Sequence, residues 1–192
     1  MPSRDIMPYV SPLGGTYETR HGSMTAAQAF AAGEPVAVVD AGTLTEPDQD
    51  TTEIIITDMD SAGFGGIACY GPGEIDIDPK TGAAFATGAQ IPYWPWGQGI
   101  LFITSNFWAT GGSATAVTPL QTDVGEAYQM TYATAGAPVL GWGLEQTAGV
   151  RGTDLVCLVH DVLDANFAPI RISSGTGVYL LFEIEAPSTA AP

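Results

Sequence analysis

Short apolar runs separated by turn residues dominate the chain. Pro35–Asp40 (PVAVVD), Thr52–Thr57, Gly66–Tyr70, Glu74–Ile77, Ala83–Thr87, Ile100–Thr104, Tyr128–Ala133, Val139–Leu144, Asp154–Val162, Ile170–Ser173 and Gly177–Glu185 all read as strands. Turn residues recur at roughly 8–12 positions, which favours a sandwich or barrel over βαβ units. One local pattern is explicit: Asp78-Pro79 sets a type I turn, Gly82 takes the left-handed position, and Glu74–Ile77 folds back on Ala83–Thr87. Only residues 24–32 (MTAAQAFAA), closed by Gly33, favour a helix. The expectation is a mainly β protein, barrel, β-tulip-like or sandwich, with little helix.

The first 23 residues break this rhythm. Pro2, Pro8, Pro12 and Gly14-Gly15 leave no 2.0 or 3.6 period, and Ile6, Met7, Tyr9, Val10, Leu13 and Tyr17 are scattered among them. Proline removes backbone donors and disfavours helix before it, so residues 1–23 should form an extended arm. Its apolar side chains suit a strap that orders on a neighbouring chain. The remainder divides into a β-module at 24–110 and a second β-rich part at 111–192, packed on the first.

Charge narrows the partners. Against 21 Asp plus Glu stand 5 Lys plus Arg, a formal net charge of −16, while hydrophobic residues make up 45% and can build a core. Affinity for nucleic acid comes largely from Lys and Arg, and anionic membranes attract the same residues, so neither partner is expected. Eleven carboxylates and no Lys or Arg lie between Glu34 and Asp78, which reads as a solvated face. The N-terminus lacks an apolar signal core and no run approaches 18 apolar residues, so synthesis in a cytoplasm without membrane entry is expected. Cys69 and Cys157 sit in apolar runs and suit buried free thiols.

Catalytic patterns are incomplete. Asp58, Asp60 and Gly63 match three positions of a calcium loop, but Ala62 and Cys69 stand where ligands are needed. No Gly-x-Ser-x-Gly elbow occurs, and two Cys with two His (His21, His160) are too dispersed for structural zinc. Cys157 and His160 should face opposite sides of one strand. Asp161 with Asp164, or Glu183 with Glu185, are the carboxylate pairs a hydrolase could use. No enzyme activity, cofactor or metal is expected.

Six of the 18 aromatics fall within residues 93–108. Tyr93, Trp94, Trp96, Phe107 and Trp108 form either a rigid structural corner or a contact platform, because Trp and Tyr dominate interface energetics. A platform would grip a protein, or stack on sugars through Tyr93, Trp94, Trp96 and Trp108.

The run Phe30-Ala-Ala-Gly33-Glu-Pro-Val36-Ala-Val-Val-Asp40-Ala-Gly42 resembles the start of the barrel in tailed-bacteriophage head decoration (capsid cement) proteins. Gly66-Ile67-Ala68, with a Thr-Gly hairpin behind it, is similar to a second motif of that family. The resemblance covers roughly residues 24–110. It implies a homotrimer, with a dimer the alternative, on the outer capsid surface of a virion, clamping adjacent major capsid proteins. It also implies that Met7, Tyr9 and Val10 anchor the arm. The size and the tryptophan-rich segment depart from the family pattern. The competing reading is a carbohydrate-binding module or virion adhesin built on the tryptophans.

Overall fold

A computed structural model describes residues 6–9, 17–24, 30–39, 43–45, 54–55, 64–71, 89–97, 99–109, 115–133, 141–148, 156–171 and 175–185. The protein is mainly β, and no α-helix occurs among the described residues. Thirteen strands follow in chain order: β1 (Met7–Pro8), β2 (Arg20–Met24), β3 (Pro35–Val39), β4 (Thr43–Thr45), β5 (Ile54–Ile55), β6 (Phe64–Ala68) and β7 (Gln90–Pro95). The rest are β8 (Leu101–Thr104), β9 (Phe107–Trp108), β10 (Ala127–Ala133), β11 (Gly141–Ala148), β12 (Val156–Leu163) and β13 (Tyr179–Glu185).

They form two sheets. The larger is open, with order β1-β8-β13-β12-β10-β11-β9, and β5 pairs with β10 beside this path. The smaller pairs in cyclic order, β2-β4-β3-β6-β7 and back to β2. Sheet membership crosses both divisions set from the sequence. Residues 20–23, expected in the arm, belong to β2 of the ring, while β8 and β9 lie in the sheet of the C-terminal strands.

The large sheet must curl. Strands β8 and β9 are separated by five strand spacings, about 24 Å if the sheet were flat. Only Ser105 and Asn106 join them, a reach of roughly 11 Å from Thr104 to Phe107. The two sides of the sheet are therefore drawn towards each other around one apolar face. Alternation then sorts the side chains. Phe102, Phe107, Tyr128, Met130, Trp142, Leu144, Cys157, Val159, Leu180, Phe182 and Ile184 share the enclosed core, which also holds Ile6 and Ile67.

The β6–β7 pair is the wall between sheet and ring. Register places Ile67 opposite Trp94 and Ala68 opposite Tyr93. Ile67 and Trp94 turn to the main core, while Ala68 and Tyr93 join Phe30, Val36 and Ile91 inside the ring. The close pairing needs Gly66 (φ 153°), where a Cβ would stand 2.0 Å from the Trp94 carbonyl oxygen.

Several sequence expectations shift here. The tryptophan-rich segment, read as a corner or platform, contains strand β7. Where a helix was expected over 24–32, Met24 lies in β2 and residues 30–33 make a turn; residues 25–29 lie outside the described residues. The 74–87 hairpin and the 58–63 acidic loop also lie outside them, as does most of the acidic block.

Candidate functional site

The face of the large sheet that turns away from its core carries a second apolar cluster. Along β8 and β13, Leu101, Ile103, Tyr179 and Leu181 alternate with the core residues Phe102, Leu180 and Phe182 and so project outward. Ile103, Leu163 and Leu181 are buried there, under the partly buried Met7, Tyr9, Leu101 and Tyr179.

The N-terminal segment supplies part of that cover. Strand β1 adds antiparallel to β8 with Met7 opposite Ile103 and Pro8 opposite Phe102. Tyr9 N–H donates to the Leu101 carbonyl at 2.8 Å, Ile6 N–H donates to Gly33 at 3.2 Å, and the Tyr17 hydroxyl donates to the Tyr9 carbonyl. Pro8 is tolerated because β1 is an edge, where a missing donor leaves no ladder partner unpaired. Ile6, fully buried, anchors this segment in the core. The arm's described part thus orders on its own chain.

The Asp164–Pro169 loop extends the apolar face. The Asp164 carboxylate accepts from Asn166 N–H at 2.7 Å and Ala168 N–H at 2.9 Å, and these bonds hold its pKa below the usual carboxylate range. Phe167 takes φ 61° at the tip, a conformation that favours Gly or Asn. Its ring is 40% exposed and stacks on Tyr179 at 4.8 Å. Met7, Tyr9, Tyr179 and Phe167 so form the described apolar surface around β1, β8 and β13.

The sequence-predicted contact residues separate into three groups. Met7 and Tyr9 lie in this surface, and Val10 lies outside the described residues. Tyr93 (6% exposed), Phe107 (1%) and Trp108 (4%) are buried, which corrects the expectation that their rings could form an exposed platform. Alternation in β7 drives Tyr93 into the ring and the β9–β11 contact covers Phe107 and Trp108. Trp94 and Trp96 are half-buried and packed on the main core. Sequence reasoning missed Leu101, Phe167 and Tyr179. The alternation of Tyr179 and Leu181 in the C-terminal strand was the available signal; Phe167 carried none.

The groups considered for hydrolysis are occupied otherwise. Cys157 is fully buried and burial pushes its thiol pKa up, the opposite of nucleophile activation. A bulge between Val159 and Asp161 turns His160 to solvent, where Nε2 lies 3.1 Å from Glu183. Glu183 also accepts Gly99 N–H at 2.7 Å, tying the loop before β8 to β13. Asp161 pairs with Arg171 at 3.2 Å. Neither cysteine is in a disulfide, and both are buried.

No match was found for this chain among protein-family models, curated proteins or solved structures. Its fold and surface define a mainly β protein with a two-sheet core and an edge-added N-terminal strand.

Proposed function

We propose that this protein is a structural virion component that decorates the outer capsid surface and clamps adjacent major capsid proteins. The observation that supports this reading most is the N-terminal segment, a short edge strand whose side chains cover an apolar face of the sheet. Main-chain addition at a sheet edge is a general mode of peptide recognition, with alternate side chains filling pockets. The low share of charged residues, 14%, and the net charge of −16 suit a subunit facing outward, away from packaged nucleic acid. Repetition around a shell makes weak contacts strong.

The carbohydrate reading is less favoured, because two of its four stacking rings, Tyr93 and Trp108, are buried. Co-sedimentation with purified capsid shells tests the proposal, using wild type and a variant lacking residues 2–9. Wild type should bind and raise the heat resistance of the shells, and the truncation should lose both. Equal binding by the truncated chain sinks the strap reading.

A further inference from the structure

The N-terminal segment touches both sheets. Ile6 N–H donates to the Gly33 carbonyl in the turn before β3, and its side chain lies in the core cluster that also holds Ile67 of β6. Met7 and Pro8 then pair with Ile103 and Phe102 at the edge of the large sheet. Residues 10–16, which include Pro12 and Gly14-Gly15, lead on to Tyr17, shortly before β2 returns the chain to the ring.

A side chain is spliced into the last rung of the β1–β8 pairing. In a regular antiparallel ladder, Tyr9 and Leu101 would exchange two main-chain bonds. One is present: Tyr9 N–H donates to the Leu101 carbonyl at 2.8 Å. In the place of the other stands the Tyr17 hydroxyl, which donates to the Tyr9 carbonyl and accepts from Leu101 N–H. A phenol oxygen fills both roles, because it carries one donor and acceptor lone pairs. Burial raises the Tyr17 pKa, and the Leu101 N–H, which favours the phenolate, only partly opposes it. The hydroxyl therefore keeps the proton that the Tyr9 carbonyl needs.

We propose that Tyr17 is a latch, whose hydroxyl keeps residues 7–9 on their own sheet and whose release lets them peel from the β8 edge. Peeling starts at Tyr9 and stops at Ile6, which is held by its burial and by Gly33. It uncovers Ile103 and Leu181, against which Met7 and Tyr9 pack, and turns main-chain groups of Leu101 and Ile103 outward. An edge exposed in this way accepts an added strand. The latch rests on the strap reading above only for what takes the opened edge.

The test is amide hydrogen exchange, read by NMR on the full chain, for wild type and Tyr17→Phe. Loss of one hydrogen bond of ordinary strength should lower protection at Tyr9 and Leu101 about five- to tenfold. Met7 and Ile103 should lose less, while Ile6 and the amides of β12 and β13 should stay as in wild type. In wild type the Tyr17 hydroxyl proton should exchange slowly and show a cross-relaxation contact to the Leu101 amide, a readout independent of any variant. Equal protection of Tyr9 and Leu101 in the two proteins overturns the latch. So does a loss spread evenly through β12 and β13, which would make Tyr17 ordinary packing. A Tyr17 hydroxyl proton in free exchange with water overturns it too. No capsid shell enters these measurements, so the strap reading stands or falls separately, by co-sedimentation.

Discussion

Gly143→Ala probes the point where the two sides of the large sheet are drawn together. A Cβ at this position would stand 2.4 Å from the Asn106 carbonyl oxygen, 2.4 Å from Trp108 Cζ3 and 2.5 Å from Asn106 Cβ. Ordinary contact needs roughly 3.5–4 Å, so the β8–β9 connection must retreat by about 1 Å. Overpacking of this kind costs about 1–3 kcal/mol. The retreat also strains two bonds that seat Asn106: Leu144 N–H to its carbonyl at 3.0 Å, and its Nδ2 to the Trp142 carbonyl at 2.9 Å. Each contributes about 1 kcal/mol, against a gain of about 0.5–1 kcal/mol from stiffening the unfolded chain. The expected loss is about 3 kcal/mol, or roughly 6–12 °C in melting temperature for a chain of this size. Urea unfolding followed by tryptophan fluorescence measures it, with Gly97→Ala as control. A Cβ at Gly97 meets only Ile100 Cδ1 at 3.8 Å, so that variant should stay within about 0.5 kcal/mol of wild type. If Gly143→Ala matches the control, the close approach of β9 and β11 is refuted.

Other outcomes follow from buried groups. Tyr128 donates to Asp123 Oδ1 at 2.7 Å, and burial followed by this carboxylate raises the phenol pKa above its ordinary 10.0. The unfolded chain then ionises first, so stability is full below pH 10 and falls as pH rises above it; Tyr128→Phe should lose about 1–3 kcal/mol at neutral pH and show a shallower alkaline decline in urea titrations. Cys157, raised above 9.0 by burial, adds to that decline from about pH 9, and Cys157→Ala should remove its share. A thiol reagent should modify neither cysteine in the native protein and both in denaturant, whereas rapid native labelling would contradict their burial. Asp164→Ala should lower the protection factors of the Asn166 and Ala168 amides, as should acidification through the lowered Asp164 pKa once the intrinsic exchange rate at each pH is divided out, with unchanged protection counting against the capped loop.

Short apolar runs bounded by turn residues were enough to place β3, β8, β10, β12 and β13 within a few positions, because strands buried on one or both faces are rich in β-branched and other apolar residues whatever their partners are. The same runs mark both cysteines as interior. Strand β7 escaped because Pro92, Trp94 and Pro95 obscure its period. Its odd positions enter the ring and Trp94 meets the main core, so neither face is polar.

For the candidate surface, Met7 and Tyr9 were legible as apolar residues out of place in a Pro/Gly-rich arm. Phe167 was not, since its place at the tip follows from the Asp164-capped loop rather than from any local pattern. The sequence by itself determined strand content, the two interior cysteines and an acidic composition, since these depend on composition and on short apolar runs. Only the tertiary structure decided which strands pair, that Tyr93, Phe107 and Trp108 are core, and that Thr131 donates to Glu145 across β10 and β11. Pairing is a choice among distant segments, and no local period encodes which distant partner closes the sheet.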